Sequence, residues 1–188
     1  MVDGFFVSNY AGKTPFAAVN LIIPLLLILG SVGFMFGTGG GALIAKTMGQ
    51  GDRRRSNNIF SMIVYASAAC GVVLAALGFL ILRPAAVLMG AEGELLEQAL
   101  IYGRINLIAL PFYVLQYEFQ CLFATAGKPK LGLAVTVAAG VTNMVLDALF
   151  VGVFRWGIAG AAVATFSSQL ISFFIPVSYT HLTLPTIA

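Results

Sequence analysis

The chain has 188 residues, of which 60% are apolar and 9% charged, whereas about a quarter of the residues of a soluble globular domain are charged. Ten Lys and Arg against seven Asp and Glu leave a formal charge of +3, too small an excess for a nucleic-acid surface, and the single histidine, His181, excludes histidine metal sites and Ser-His triads. Apolar residues run in long stretches between short polar islands instead of alternating with period 2 or 3.6, so the chain reads as a polytopic helical membrane protein.

A spanning helix needs about 20 apolar residues at 1.5 Å rise each. The first segment, Met1 to Tyr10, is too short for this and reads as the end of a helix cut at its amino side; nothing in it resembles a signal peptide. The second runs from Pro15 to about Ala45 and is long enough to tilt or bend, with Pro24 and several glycines inside it. Within it Gly33, Gly37 and Gly41 recur every four residues, which makes a smooth face for close helix packing. The run Gly37-Thr38-Gly39-Gly40-Gly41 is no phosphate loop, since no Gly-Lys-Ser/Thr follows and no strand precedes it.

The third segment spans about Ile59 to Leu82 and the fourth about Ala99 to Phe123, with Pro111 inside. Between them RPAAVLMGAEGELLEQ reads as a longer loop whose last part is a short amphipathic helix leading into the fourth segment. The fifth covers about Leu131 to Phe154 and the sixth about Gly157 to Val177. Cys70 and Cys121 lie alone inside apolar runs and read as small buried hydrophobes. Residues 1–176 form one six-helix lobe; SYTHLTLPTIA and its flank, 177–188, break the pattern, resemble a translated sequencing adapter and are set outside the fold, the alternative being a polar linker.

Short cytoplasmic loops collect basic residues. The loops after the second and fourth segments hold Lys46, Arg53, Arg54, Arg55, Lys128 and Lys130, six of the ten basic residues, and the other side holds Lys13, Arg83, Arg104 and Arg155. QGDRRRSNN is therefore placed in the cytoplasm.

An ionisable group in hydrocarbon costs at least about 2.5–3.5 kcal/mol, so each is a functional candidate. Asp3 lies about 14 Å from the outer end of its helix, Asp147 about 10 Å and Thr165 about 12 Å at helical rise, and all three outer ends are on one side. Asn143 falls on the face of Asp147, one turn deeper. Asp3, Asn143, Asp147 and Thr165 thus form a candidate coupling site and substrate cavity: hard oxygen ligands suit Na⁺, and carboxylates removed from water can take up and release a proton near neutral pH. The structural alternative is that these groups only bond helices together. Glu118, about 10 Å from the cytoplasmic end of the fourth segment, is expected to be partly hydrated, lining the inner mouth or facing a partner helix. Arg104 snorkels to the outer surface.

MVDGFFVSNYAG, GALIAKTMGQGD, ATAGKPKLG and VTNMVLDALF followed by WGIAGAAVATFSSQ resemble the amino-terminal lobe of the multidrug and toxic compound extrusion (MATE) transporters, over roughly residues 1 to 176. The resemblance implies one half of a twelve-helix, two-lobe transporter of the cytoplasmic membrane, bacterial in character, with a carboxy-terminal lobe absent from this chain. It implies export of cationic, amphipathic small molecules by Na⁺ or H⁺ antiport, with no cofactor beyond the coupling ion, no enzymatic reaction and no nucleic-acid partner. It assigns Asp3, Asn143, Asp147 and Thr165 to the cation site, where cation binding from outside shifts the first helix, substrate leaves and the lobes rock. Two other readings stand beside it: a flippase for lipid-linked saccharides, which would favour a basic cavity, and a membrane structural or assembly protein whose buried acids merely pair helices.

Overall fold

The computed structural model describes the backbone of residues 2–183 and the side chains of residues 4–176. Among the described residues every regular element is helical: α1 Val2–Phe6, which runs on into a π-type turn at Val7–Ala11, α2 Lys13–Gly30, α3 Val32–Gly49, α4 Arg53–Leu88, α5 Gly93–Thr125, α6 Pro129–Asp147, which runs on into a second π-type turn at Ala148–Val153, and α7 Gly157–Thr183. Among the described residues five stretches are long and apolar enough to cross a membrane: Lys13–Gly49, Arg53–Leu88, Gly93–Thr125, Pro129–Val153 and Gly157–Pro176. With the short α1 ahead of them they make the six-helix lobe expected from the sequence. The boundary drawn after residue 176 falls inside α7, and the side chains of 177–188, His181 among them, lie outside the described residues.

Why each helix starts and stops is legible locally. Asp52 caps α4, its side chain accepting from the Arg55 backbone N–H at 2.9 Å, and so takes up one of the donors left free at a helix start. α5 is closed off just past its end by Gly127, whose φ of 70° suits glycine; there the Lys128 N–H closes back onto the Phe123 carbonyl at 2.9 Å, satisfying an orphan acceptor at the helix end. α2 and α3 are one spanning rod bent at the Gly30-Ser31 pair, a common kink site, and the Ser31 hydroxyl donates to the Ile28 carbonyl at 2.7 Å.

One expectation fails. The stretch read as a long loop, from Arg83 to Gln98, is mostly helix: α4 continues through Pro84 to Leu88 and α5 begins at Gly93. Burial explains the difference, because Leu82, Ala86, Ala91 and Ala99 are all almost wholly buried in one core, and packing outweighs the hydrogen bond that Pro84 removes. The amphipathic element is the first turn of α5 itself, with Glu94 and Glu97 exposed and Leu95 and Leu96 half-buried.

α5 is the axis of the lobe and packs against α2, α3, α4, α6 and α7. Its buried residues include consecutive runs such as Asn106–Leu107 and Ala109–Leu110, as expected of a helix covered on all sides. Two apolar clusters stack along it, one around Ile22, Leu82, Leu107 and Val151 and the other around Ile44, Ile63, Phe119 and Phe123. Leu80 and Ile28, 76% and 69% exposed, stand on the outside of the bundle, where hydrocarbon is the solvent. The protein is an integral membrane protein.

The glycines fix how closely α3 approaches α5. A Cβ on Gly33 would lie 2.2 Å from the Val114 carbonyl oxygen, one on Gly37 2.7 Å from Cys121 Cβ, and one on Gly41 2.6 Å from Thr125 Oγ1. These three glycines form a ladder along α5. Gly40, which the four-residue spacing does not include, faces α4 instead, where a Cβ would meet Ile63 Cδ1 at 2.6 Å.

Candidate functional site

α1, α6 and α7 meet at one corner of the lobe, where both π-type turns also touch. Asp147 is the last residue of α6 before the π-type turn, and it is fully buried. π-type turns insert an extra residue per turn and recur at functional sites; here one of them begins at the residue after the acid. One turn back on the same face, Asn143 is half-buried and its Nδ2 donates to Thr165 Oγ1 at 3.4 Å. Thr165, on α7, is 6% exposed. The structure therefore brings Asn143, Asp147 and Thr165 to one corner. The backbone of Asp3 lies on α1, which packs against α6, while its side chain lies outside the described residues.

The carboxyl of Asp147, the amide oxygen of Asn143 and the hydroxyl of Thr165 are hard oxygen donors, the kind Na⁺ takes. Among the described residues no three His, Cys, Asp or Glu side chains converge, so the set consists of one described acid and neutral oxygens. Ser168, whose hydroxyl donates to the Thr165 carbonyl at 2.8 Å, and Ser172, whose hydroxyl donates to Ser168 O at 3.0 Å, extend a buried polar stripe along α7. The sequence reading passed over this stripe, although Thr165, Ser168 and Ser172 recur at helical spacing.

A cavity of about 570 Å³ opens between α1 and α2, lined by Gly4, Phe5, Ser8, Phe16, Asn20 and Ile23 among others. Aromatic walls with two polar groups suit an amphipathic molecule. None of Asn143, Asp147 and Thr165 lines it, so the acid corner and this cavity are separate, and α1 contacts α6 and contributes to the cavity wall.

Glu118 is fully buried and not partly hydrated; of the two places expected for it, the structure gives the one facing partner helices. The helical phase of α5 turns it away from α6 and α7 and into the seam with α3 and α4, where its Oε2 and Ser67 Oγ are hydrogen-bonded and Gly37 lies against its backbone. Glu118 is thus not part of the Asp147 corner. Arg104 is exposed, and Cys70 and Cys121 are half-buried free thiols.

The MatE family model matches residues 1–149. The chain is similar to the multidrug export protein MepA of Staphylococcus saprophyticus, 26% identical over 173 residues that cover 91% of this chain and 38% of MepA. MepA of Staphylococcus aureus is 25% identical over 166 residues, 88% of this chain and 37% of MepA. Among solved structures, a MATE in the bent conformation superposes with a TM-score of 0.89 at 26% identity, over 95% of this chain and 40% of that one. An inward-facing multidrug resistance MATE family transporter of the MOP superfamily superposes with a TM-score of 0.89 at 25% identity and the same coverage. The chain spans about 40% of the length of these relatives.

Proposed function

This chain belongs to the MatE family, and we propose that it is the amino-terminal lobe of a cation-coupled antiporter that exports cationic, amphipathic compounds across the cytoplasmic membrane. The observation that carries this reading is the fully buried Asp147 beside Asn143 and Thr165. A carboxylate in such a place costs several kcal/mol unless a cation or proton neutralises it, so loading and unloading that charge changes the relative stability of the conformations around it. α1 is the element best placed to respond. It packs on α6 and, with α2, lines the 570 Å³ cavity.

In this mechanism Asp147, Asn143 and Thr165, together with Asp3, hold Na⁺ or H⁺ entering from outside. The loaded corner shifts α1, the aromatic cavity next to it loses its fit for substrate, and the compound leaves. Unloading toward the cytoplasm restores the cavity. A second lobe completes the cleft in this scheme, and the two rock about the site. MepA is described as a multidrug export protein, which agrees with an amphipathic substrate.

The test is ethidium efflux from cells that express the full-length gene containing this chain. Asp147→Asn keeps the shape and removes the charge, and is expected to abolish gradient-driven efflux with expression unchanged. Efflux undiminished in Asp147→Asn and in Asp3→Asn would remove the coupling role from this corner.

A further inference from the structure

A second carboxyl lies deep in the lobe, on the far side of α5. Glu118 and Ser67 are both fully buried, at a level about 10 Å from the α5–α6 turn at helical rise. The Ser67 hydroxyl lies between two oxygens, bonded to Glu118 Oε2 and 3.0 Å from the Val64 carbonyl oxygen. A serine hydroxyl has one hydrogen. Both contacts are full hydrogen bonds when the second hydrogen comes from the carboxyl: Glu118 O–H donates to Ser67 Oγ, and Ser67 O–H donates to the Val64 carbonyl.

The other carboxyl oxygen decides between the two charge states. Glu118 Oε1 is buried with no hydrogen-bond partner among the described residues. The carbonyl oxygen of a neutral acid tolerates that position, whereas a carboxylate oxygen sharing a full charge does not. Nor does a counter-charge face it. α3 from Val32 to Ala45 and α4 from Ser56 to Leu82 contain no Lys, Arg, His, Asp or Glu. The titratable groups nearest the seam are Cys70 on α4 and Tyr117 and Cys121 on α5 itself. α3 also packs tightly on α5 at this level, since a Cβ on Gly37 would lie 3.0 Å from Glu118 Cα.

We propose that Glu118 is a second proton-binding site of the lobe, separate from the Asp147 corner, and that the chain Glu118–Ser67–Val64 holds its proton while α3 stays packed on α5. Release passes the carboxyl proton to a water molecule entering the α3–α4–α5 seam and leaves a carboxylate that takes the Ser67 hydroxyl hydrogen. Proton loss and separation of α3 from α5 are then one event.

Infrared difference spectroscopy on the purified full-length protein in liposomes tests this without any transport step, so its outcome is independent of the export reading. At neutral pH the wild type minus Glu118→Gln spectrum is expected to show the C=O stretch of a protonated carboxylic acid. A carboxylate pair of bands in its place overturns the proposal. Ser67→Ala removes the acceptor of the carboxyl proton and is expected to shift that C=O band. This second variant decides the matter by itself if Glu118→Gln fails to fold: a shifted band supports the bound proton, and an unmoved spectrum overturns it.

Discussion

Asp147 and Thr165 share a corner but carry different kinds of interaction, and mutations should separate them. The Asn143–Thr165 hydrogen bond is 3.4 Å long and joins neutral groups, a contact worth about 0.5–1.5 kcal/mol net. Thr165→Val keeps the shape and removes the hydroxyl, so it should weaken coupling-ion affinity by roughly twofold to tenfold and leave maximal efflux intact at high ion concentration. Asp147→Asn should not be rescued by any ion concentration. Efflux measured against Na⁺ and against pH in the full-length protein distinguishes the two patterns, and a Thr165→Val variant as dead as Asp147→Asn would assign the hydroxyl a larger part than a single ligand. This corner was legible in the sequence because a polar residue in an apolar run stands out, and its distance from a turn gives its depth. Depth says nothing about direction, however. Glu118 has a depth too, but α5 is apolar on every side, so no hydrophobic stripe in its sequence indicates which neighbour the residue meets. Only the packed bundle places Glu118 against Ser67 and away from Asp147.

At the scale of the helices, the α3–α5 contact is set by backbone and not by side-chain fit. The Val114 carbonyl cannot yield to a new methyl 2.2 Å away, so Gly33→Ala must push α3 outward. Overpacking of this kind costs about 1–3 kcal/mol, and here it should also loosen the seam around Glu118. Gly39 offers the control: it lies under two turns along the same helix, on a different face, and nothing is within 4 Å of its would-be Cβ. Gly39→Ala should be neutral or stabilising by up to about 1 kcal/mol, since alanine is the better helix former. Thermal melting of the detergent-solubilised protein is expected to show a lowered midpoint for Gly33→Ala and none for Gly39→Ala; equal behaviour of the pair would mean that α3 does not depend on that approach. The four-residue glycine spacing gave this face away in advance. Gly40, facing Ile63 of α4, lies inside the Gly39-Gly40-Gly41 run and outside the four-residue spacing, so the sequence does not single it out, and the helical course of Arg83–Leu88 is hidden because a proline in sequence looks like a stop until the core that buries Leu82 and Ala86 is known.

For the molecule as a whole, orientation in the membrane follows from charge. α4 has 36 residues, about 54 Å at helical rise, against a hydrocarbon core of about 30 Å; it must project beyond the apolar layer, and its basic end is Arg53-Arg54-Arg55. Those three arginines, with Lys46, Lys128 and Lys130, lie at the end of the lobe that holds the α3–α4 and α5–α6 turns, while the α4–α5 turn at the other end holds Glu92. A short loop of this charge stays on the cytoplasmic side. Asn57, exposed in the first turns of α4, and Glu92, exposed between α4 and α5, report the two faces. In full-length protein with Cys70 and Cys121 changed to Ser, a membrane-impermeant maleimide added to intact cells should label Glu92→Cys and spare Asn57→Cys until the membrane is opened. The reverse pattern would turn the lobe over. The Asp147 corner would then load from the cytoplasm, and an ion gradient directed inward could no longer drive export through it.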